Sequence, residues 1–291
     1  MSNPVKILVD STCDIGEELI KKYNLAVLPL PIFLGEEQFD DGVNITTDDL
    51  FKFVEKTGKL PRTVAPNAVA YSDFWQKWLD EGYDIVHFNI GAGFSVTHNA
   101  AVIAAEEYPD RVFPVDSKNL SSGIGLLVLR AAKLAEEGKS AAEIAKIMPE
   151  ITNKVRSSFV LSTIEYLWKG GRCSGVAALG ANLLKIKPCI EVVDGKMFPG
   201  KKYRGKMEDI LASYVEAKLK DRKTIYLDHI FVTHSYTDDT MAEYIRDKVL
   251  ELHPFKEVFV TKAGCSICTH CGRGTLGILF MEDDAAEGTD D

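Results

Sequence analysis

The stretch CSICTHCGRGTLG near the end of the chain concentrates the side chains best able to do chemistry. Cys265, Cys268 and Cys271 follow a C-x2-C-x2-C spacing, and His270 stands beside the last thiol. Thiolates and imidazoles at such spacings bind zinc ions or iron–sulfur clusters. The first interpretation of this segment is therefore a metal- or thiol-dependent enzyme that uses these four residues.

A metal centre at these thiols lacks an obvious fourth ligand. An iron–sulfur cluster would require another cysteine nearby, and none follows Cys271. Zinc is usually held by two separated pairs of ligands, so Cys173 or Cys189 would have to join through space. The other interpretation is that the three thiols are buried as small apolar groups. We expect no metal ion.

The glycines of the same stretch do not indicate a nucleotide site. Gly272, Gly274 and Gly277 match G-x-G-x-x-G, but a dinucleotide loop requires a preceding strand and a helix that opens within it. Here residues with strand character follow instead. No Walker sequence occurs, and Ser95 lies in GAGFSV rather than in the G-x-S-x-G of hydrolases.

Arg172 and His270 are well suited to hold an anion. Arg172 follows two glycines in KGGRCSG, where the backbone can approach a ligand and the guanidinium can face a carboxylate or phosphate. His270 lies in a glycine-bounded turn, from which it can donate a hydrogen bond or a positive charge. A surface or core histidine is an equally good interpretation from local sequence.

Alternating strands and helices must position these side chains. KILVD, DIVHFNI and RVFPVDS are typical of buried strands, and each precedes an amphipathic segment, the first of which has Asp14 as its predicted N-cap. This alternation predicts an α/β fold with a mainly parallel sheet flanked by helices. In such sheets ligands bind at the carboxyl ends of the strands.

The pattern changes after Thr152. LWKGGRCSG is predicted to be a basic turn, VAALGANLLK a short helix, and the segment around Asp194 and Gly195 a hairpin. We expect an N-terminal α/β domain at residues 1–155, a smaller α/β domain at 156–283 and an acidic disordered tail at 284–291.

Composition narrows the class of protein. The chain has 291 residues, of which 46% are hydrophobic and 26% charged, and its formal net charge is -9. No basic run is present, which argues against nucleic acid as a partner. No apolar stretch approaches the roughly 20 residues of a membrane helix, and the opening apolar run is too short for a signal peptide. We expect a cytoplasmic protein without stable membrane insertion, whose cysteines are thiols.

Six short motifs, in order along the chain, resemble those of the DegV family, bacterial fatty-acid-binding proteins that act with a fatty acid kinase. The resemblance covers about residues 5 to 281. The motifs are DSTCD, RTVAPNA, GAGFSVTHNAA, DSKNLSSGIG, LWKGGRCS and HCGRGTLGILF.

This resemblance implies a two-domain fold and a function in phospholipid metabolism. A fatty acyl chain would lie in an apolar tunnel of the N-terminal domain, and the C-terminal domain would close the head-group site. Thr63 and Ser95 would hold the carboxylate, Arg172 and His270 would complete its polar surroundings, and Arg204 would contact the kinase. The kinase would form the acyl-phosphate, so this chain would have no catalytic residue and no cofactor.

Several residues depart from the family pattern at the expected head-group site. Val64 and Asn67 replace serines, Val96 replaces a glycine, and Cys271 and Arg273 alter the turn after His270. These changes leave open a DegV-like protein that binds a different small anion.

Overall fold

The computed structural model of the protein describes residues 3–173 and 186–282. The chain forms two compact units, Met1–Asn153 with Gly264–Ile267 and Lys154–Ala263 with Cys268–Asp291. The four residues 264–267, called the strap below, thus belong to the first unit although the chain on both sides belongs to the second. The helix predicted at VAALGANLLK and the acidic tail lie outside the described residues.

Two sheets form the first unit. A parallel sheet has the order β2-β1-β6-β7, and a small antiparallel sheet has the order β4-β3-β5. The strands are β1 (Val5–Asp10), β2 (Ala26–Leu28), β3 (Pro31–Leu34), β4 (Glu37–Asp40), β5 (Arg62–Thr63), β6 (Asp84–Asn89) and β7 (Val112–Asp116).

Six α-helices accompany these strands, and two of them begin with a capping box. At α2 the Thr46 hydroxyl accepts from Asp49 N, and the Asp49 carboxylate accepts from Thr46 N. Ser140 and Glu143 repeat this arrangement at α6. The helices are α1 (Glu17–Lys22), α2 (Thr47–Thr57), α3 (Ala68–Asp80), α4 (Thr97–Ala105), α5 (Ser122–Glu136) and α6 (Ala141–Thr152).

The predicted N-cap of the first helix is wrong. A 3-10 turn at Ser11–Cys13 follows β1, and α1 begins only at Glu17 with Gly16 as its N-cap. Asp14 has a left-handed backbone with φ of 47°. Its carboxylate accepts hydrogen bonds from residues far away in the sequence, so it is unavailable to cap α1.

Helices α3 and α4 cover one apolar part of the parallel sheet. Leu8 and Ile85, from the central strands, are packed with the fully buried rings of Tyr71 and Trp75 and with Ala101. Burial of the central strands explains their continuous apolar sequences, which are typical of parallel sheets.

The described residues of the second unit form one mixed sheet with the order β10-β9-β8-β13-β11-β12. Its pairs are antiparallel, except that β11 and β12 are parallel. The strands are β8 (Val155–Val160), β9 (Lys187–Val193), β10 (Lys196–Tyr203), β11 (Ile225–His234), β12 (Glu257–Lys262) and β13 (Leu276–Glu282), and the helices are α7 (Glu165–Gly170), α8 (Met207–Leu219), α9 (Thr240–Leu252) and α10 (Cys265–Cys271).

Two segments that the sequence predicts to be turns are partly helical. LWKG forms the end of α7, which stops where Gly171 adopts a left-handed φ of 68°. CSICTHC forms α10, and the true turn follows it at Gly272 and Gly274, with φ of 71° and 80°. The predicted hairpin is present, with Asp194 and Gly195 both at positive φ as its turn requires.

Candidate functional site

The carboxyl ends of β1 and β6 meet at the switch point of the parallel sheet. From β1 the sheet extends to β2 on one side and to β6 and β7 on the other. Loops that leave neighbouring strands in opposite directions open a crevice there, where ligands bind in sheets of this kind. Ser95 lies in the loop that follows β6.

Ser95 is half-buried, and its hydroxyl is hydrogen-bonded to that of a neighbour. Its Oγ lies 2.5 Å from Oγ1 of Thr97, which is fully buried, and accepts a bond from Thr97 N at 3.3 Å. When the Thr97 hydroxyl donates to Ser95, the Ser95 proton is free to be donated to a ligand. Val96, between them, is 69% exposed.

The loop that carries Ser95 is packed closely against the loop after β7. Gly91 N donates to Asn119 O at 2.8 Å, and Asp116 Oδ1 accepts from Ala92 N and Lys118 N at 3.0 and 2.9 Å. A Cβ atom on Gly91 would lie 2.9 Å from Asn119 N and 3.0 Å from Lys118 C. Glycine is therefore required where the two loops meet.

Thr63 belongs to the antiparallel sheet of the same unit. Thr63 is the last residue of β5 and is paired with Ile32 of β3. The next residue is also bonded to the residue before Ile32, since Val64 N donates to Pro31 O at 3.0 Å. The backbone on both sides of the half-buried Thr63 side chain is thus held by β3.

A buried polar network at the ends of β1 and β6 was not predicted from the sequence. Asp10, with no solvent exposure, accepts from Tyr71 Oη at 2.9 Å, His87 Nε2 at 3.0 Å and Asn89 Nδ2 at 3.2 Å. Trp75 Nε1 donates to His87 Nδ1 at 2.9 Å, which places the proton of a neutral His87 on Nε2, facing Asp10.

The sequence contains signals that could have revealed this network. His87 and Asn89 are two apart on one strand, and Tyr71 and Trp75 are four apart on one helix, so each pair shares a face. Asn89 Oδ1 also lies 3.2 Å from Nδ1 of His98 in the first turn of α4, and burial lowers the pKa of His98. The network therefore links the sheet to the helix that follows Ser95.

Arg172 and His270 lie near one another in the second unit. A Cβ atom on Gly170 would lie 2.6 Å from His270 Nδ1, and Arg172 Nη1 donates to Gly170 O at 2.5 Å. Burial, and secondarily the Arg172 charge, lower the pKa of His270 to about 4. The expected positive charge on His270 is thus absent at neutral pH, and its role as a neutral hydrogen-bond donor to a ligand stays a prediction.

The glycines after α10 lie where a larger side chain would collide with neighbouring atoms. A Cβ atom on Gly272 would lie 2.7 Å from the Tyr166 ring, and one on Gly277 would lie 2.6 Å from Ser158 O. Ser235 Oγ donates to Gly272 O at 2.6 Å and accepts from Thr275 N at 2.9 Å, which fixes the turn. Strand β13 follows, so the segment lacks the helix that a dinucleotide loop requires.

The three thiols of α10 make separate contacts. Their sulfurs donate to three different carbonyls: Cys265 to Ile45 O at 3.8 Å, Cys268 to Ala263 O at 3.4 Å and Cys271 to Gly272 O at 3.6 Å. All three are buried, and burial raises the pKa of Cys265, so it remains a thiol at neutral pH. Within residues 3–173 and 186–282, no group of three His, Cys, Asp or Glu side chains could hold a metal ion.

Arg204 lies apart from the other predicted site residues, directly after the edge strand β10. It is exposed, and so are Lys201 and Lys202 on the same strand. Phe198, also on β10, is 47% exposed. The hairpin of β9 and β10 thus presents a basic surface with an apolar side chain.

These features define a two-unit α/β protein with a half-buried hydroxyl, that of Ser95, in a loop at the switch point of its parallel sheet, the place where proteins with such sheets bind ligands. The family model described as "Uncharacterised protein, DegV family" matches residues 4–283, and this chain belongs to the DegV family. A DegV domain-containing protein of Clostridium acetobutylicum is 33% identical over 279 residues, covering 96% of this chain and 98% of the relative. One from Clostridium perfringens is 30% identical over 283 residues, covering 96% and 99%.

Solved structures of the family share the fold and confirm the predicted parallel sheet flanked by helices. A DegV family protein from Thermus thermophilus, described for its fatty acid binding, superposes with a TM-score of 0.86 at 29% identity, covering 97% of this chain and all of that chain. DegV of Bacillus subtilis, a fatty acid binding protein, gives 0.83 at 25% identity, covering 97% and 100%. Over the described residues of this chain, every helix is too short or too polar to cross a membrane.

Proposed function

We propose that this protein binds a long-chain fatty acid in its first unit, with Thr63 and Ser95 as donors to the carboxylate. The observation that carries the proposal is the Ser95 hydroxyl, which lies in the loop at the switch point of the sheet and shares a hydrogen bond with the Thr97 hydroxyl. The relatives from Thermus thermophilus and Bacillus subtilis, described as binding fatty acids, support the ligand class. In the second unit, Arg172 and His270 are proposed as further donors to the head group.

The chemistry of these groups suits a carboxylate. An ionised carboxylate away from water needs hydrogen bonds or positive charge, since its desolvation is costly. The proposed site offers hydrogen-bond donors to the carboxylate from two hydroxyls, a guanidinium and a neutral imidazole. None of these groups has to act as a nucleophile. The acyl chain adds about 0.8 kcal/mol for each methylene that leaves water. Such a site holds an acid and requires no bond-making step.

We also propose that the bound acid is presented to a partner fatty acid kinase. The kinase supplies the phosphoryl group and forms the acyl-phosphate, so this protein is a cytoplasmic carrier rather than an enzyme. Arg204 on the basic hairpin is proposed as a contact with the kinase. Its exposure supports this role, because guanidinium groups bind carboxylates of a partner in a bidentate manner.

Native mass spectrometry of the freshly purified protein, compared with its denatured mass, tests the ligand. We expect an added mass equal to a long-chain fatty acid. An added mass of zinc or an iron–sulfur cluster would instead support the enzyme built on Cys265, Cys268, Cys271 and His270. A retained non-lipid acid would support the binder of another small anion.

A double variant tests the site itself. Thr63→Val with Ser95→Ala removes both proposed donors, and we expect loss of the retained acid with an unchanged circular dichroism spectrum. Thr57→Val with Ser72→Ala makes the same chemical changes elsewhere in the first unit and should leave retention intact. A Thr63/Ser95 variant that still carries one acid per chain would refute the assignment of these residues.

A further inference from the structure

The strap, residues 264–267, is held on the first unit by hydrogen bonds from its backbone to two carboxyl groups. Three successive N–H groups take part, and both acceptors lie more than 220 positions earlier in the sequence. The bonds run from Gly264 N to Asp14 Oδ1 at 2.8 Å, from Cys265 N to Asp41 Oδ1 at 2.9 Å and from Ser266 N to Asp41 Oδ2 at 3.0 Å.

The side chains of the strap contribute little to its attachment. Ser266 is 3% exposed, yet its hydroxyl has no hydrogen-bond partner among the described residues. The Cys265 thiol lies 3.8 Å from Ile45 O and also interacts with the Asp41 carboxyl group. A Cβ atom on Gly264 would lie 3.1 Å from Asp14 Oδ1 and 3.4 Å from Asp41 Oδ1. The strap therefore depends on Asp14 and Asp41.

Each carboxyl group is also bound by a serine. Ser121 Oγ donates to Asp14 Oδ2 at 2.6 Å, and Ser11 Oγ donates to Asp41 Oδ2 at 3.0 Å. Asp14 and Ser121 both have left-handed backbones, with φ of 47° and 53°. Strained conformations of this kind in residues other than glycine persist only where the surroundings enforce them, and they cluster at switch regions.

The ionisable groups that influence this cluster are acids and thiols. Besides burial, which is the larger cause, the charge of Asp41 raises the pKa of Asp14. In the adjoining 3-10 turn, burial and then the charges of Asp14 and Asp10 raise the pKa of Cys13. The pKa of Cys265 in the strap is raised by burial and then by the charges of Asp41, Asp14 and Asp49. No cation is among these influences. An Asp14 carboxylate would therefore meet desolvation and repulsion from Asp41, which the hydrogen bonds from Ser121 and Gly264 offset only in part.

We propose that the strap is a proton-dependent latch, held on the first unit while Asp14 is neutral and loosened when Asp14 is ionised. Loosening releases the proton of Asp14 to solvent and frees the first turn of α10, the helix that carries His270. The latch does not rest on the proposed fatty acid binding, and its test requires no ligand.

The pH range of the latch follows from the Asp14 environment. Desolvation, opposed by the bonds from Ser121 and Gly264, raises the pKa of Asp14 from 3.8 to about 8. Asp14 is thus mostly neutral at pH 7 and mostly ionised at pH 9. The attachment of the strap is expected to weaken as the pH rises towards 8 and to change little above it, because Asp14 is then ionised in both the held and the loosened states.

Hydrogen exchange measured by mass spectrometry at pH 7, 8 and 9 tests the latch. The observable is the protection factor of peptides covering residues 264–267, each rate being divided by that of the unstructured peptide at the same pH. In the wild-type protein we expect protection to fall about tenfold from pH 7 to pH 9, as the neutral fraction of Asp14 falls from about 90% to about 10%. Protection independent of pH would overturn the proposal.

Asp14→Asn provides the matched test, because an amide, like the neutral carboxyl group, offers an acceptor to Gly264 N and a donor to Ser121 but cannot ionise, and it tolerates the left-handed backbone. Its protection should not change between pH 7 and 9. Asp73→Asn removes an exposed carboxylate of α3 and should keep the wild-type profile. If the protection factor falls equally in Asp14→Asn and in the wild type, the role assigned to Asp14 is wrong. If the variant does not fold, the pH dependence of protection in the wild-type protein decides.

Discussion

His270 illustrates how burial determines the chemistry of a single residue. Its imidazole is neutral at neutral pH because its pKa is about 4, lowered first by desolvation and then by the Arg172 charge. A neutral imidazole can donate a hydrogen bond but supplies no positive charge, and the charge beside it belongs to Arg172. Asp14 is shifted in the opposite sense, since desolvation favours the neutral form of an acid.

The pH dependence of stability should show the depressed pKa of His270. Between pH 4 and 6.5 the unfolded chain binds more protons at this residue than the folded chain does, so the free energy of unfolding falls as the pH is lowered through this range. The slope is at most about 1.4 kcal/mol per pH unit. Urea unfolding from pH 4.5 to 7.5 should show that His270→Gln removes this contribution. His253→Gln, in the same unit, is the control, and an equal change of slope in both variants would contradict the prediction.

At the scale of secondary structure, the loops after β6 and β7 depend on each other. Asp116 binds backbone groups of both loops, and Gly91 allows the contact with Asn119. Beneath them, the network around Asp10 binds the ends of β1 and β6 to α3. The position of Ser95 is therefore set by two loops and a buried carboxylate rather than by its own loop.

Gly91→Ala tests this dependence. The added methyl group would collide with backbone atoms of Lys118 and Asn119, which cannot rotate away. We expect the free energy of unfolding to fall by about 1–3 kcal/mol and retention of the bound acid to weaken. Gly93→Ala, at an exposed position of the same loop, should change stability by less than about 0.5 kcal/mol. Equal stability of the two variants, measured by urea unfolding, would show that the loops do not need this close approach.

At the scale of the whole molecule, charge is unevenly distributed. The chain carries a net charge of -9, yet β10 and the residues after it expose Lys196, Lys201, Lys202, Arg204 and Lys206. A local basic surface on an acidic protein orients an acidic partner during encounter and raises the association rate, which salt then reduces.

Binding to the proposed kinase should depend on this surface. For Lys201→Glu with Arg204→Glu we expect the association rate at low salt to fall about tenfold, and the difference from wild type to shrink at high salt because salt screens exposed charges. Lys22→Glu with Lys133→Glu makes the same change of charge in the first unit and should have a small effect. Stopped-flow association with the kinase of the same organism gives these rates, and equal effects of the two pairs would argue against the hairpin as the contact.

The sequence by itself determined most of the secondary structure and the class of fold. Apolar runs and helical periodicity are local properties, so the strands of the parallel sheet and the hairpin at Asp194 could be recognised. The motif containing Ser95 could be placed after a strand for the same reason. The turn predicted at CSICTHC failed because the cysteines suggested chemistry, whereas their burial stabilises a short helix.

Only the tertiary structure decided how polar groups far apart in the chain are combined. Asp14 appeared to be a helix cap, but its partner Gly264 lies 250 residues away, and Asp10 and His87 are separated by 77. The protonation of His270 and Asp14 likewise depends on desolvation, which no local pattern encodes. Hydrogen bonding and charge in a protein interior are set by which groups meet there, and that is a property of the folded chain.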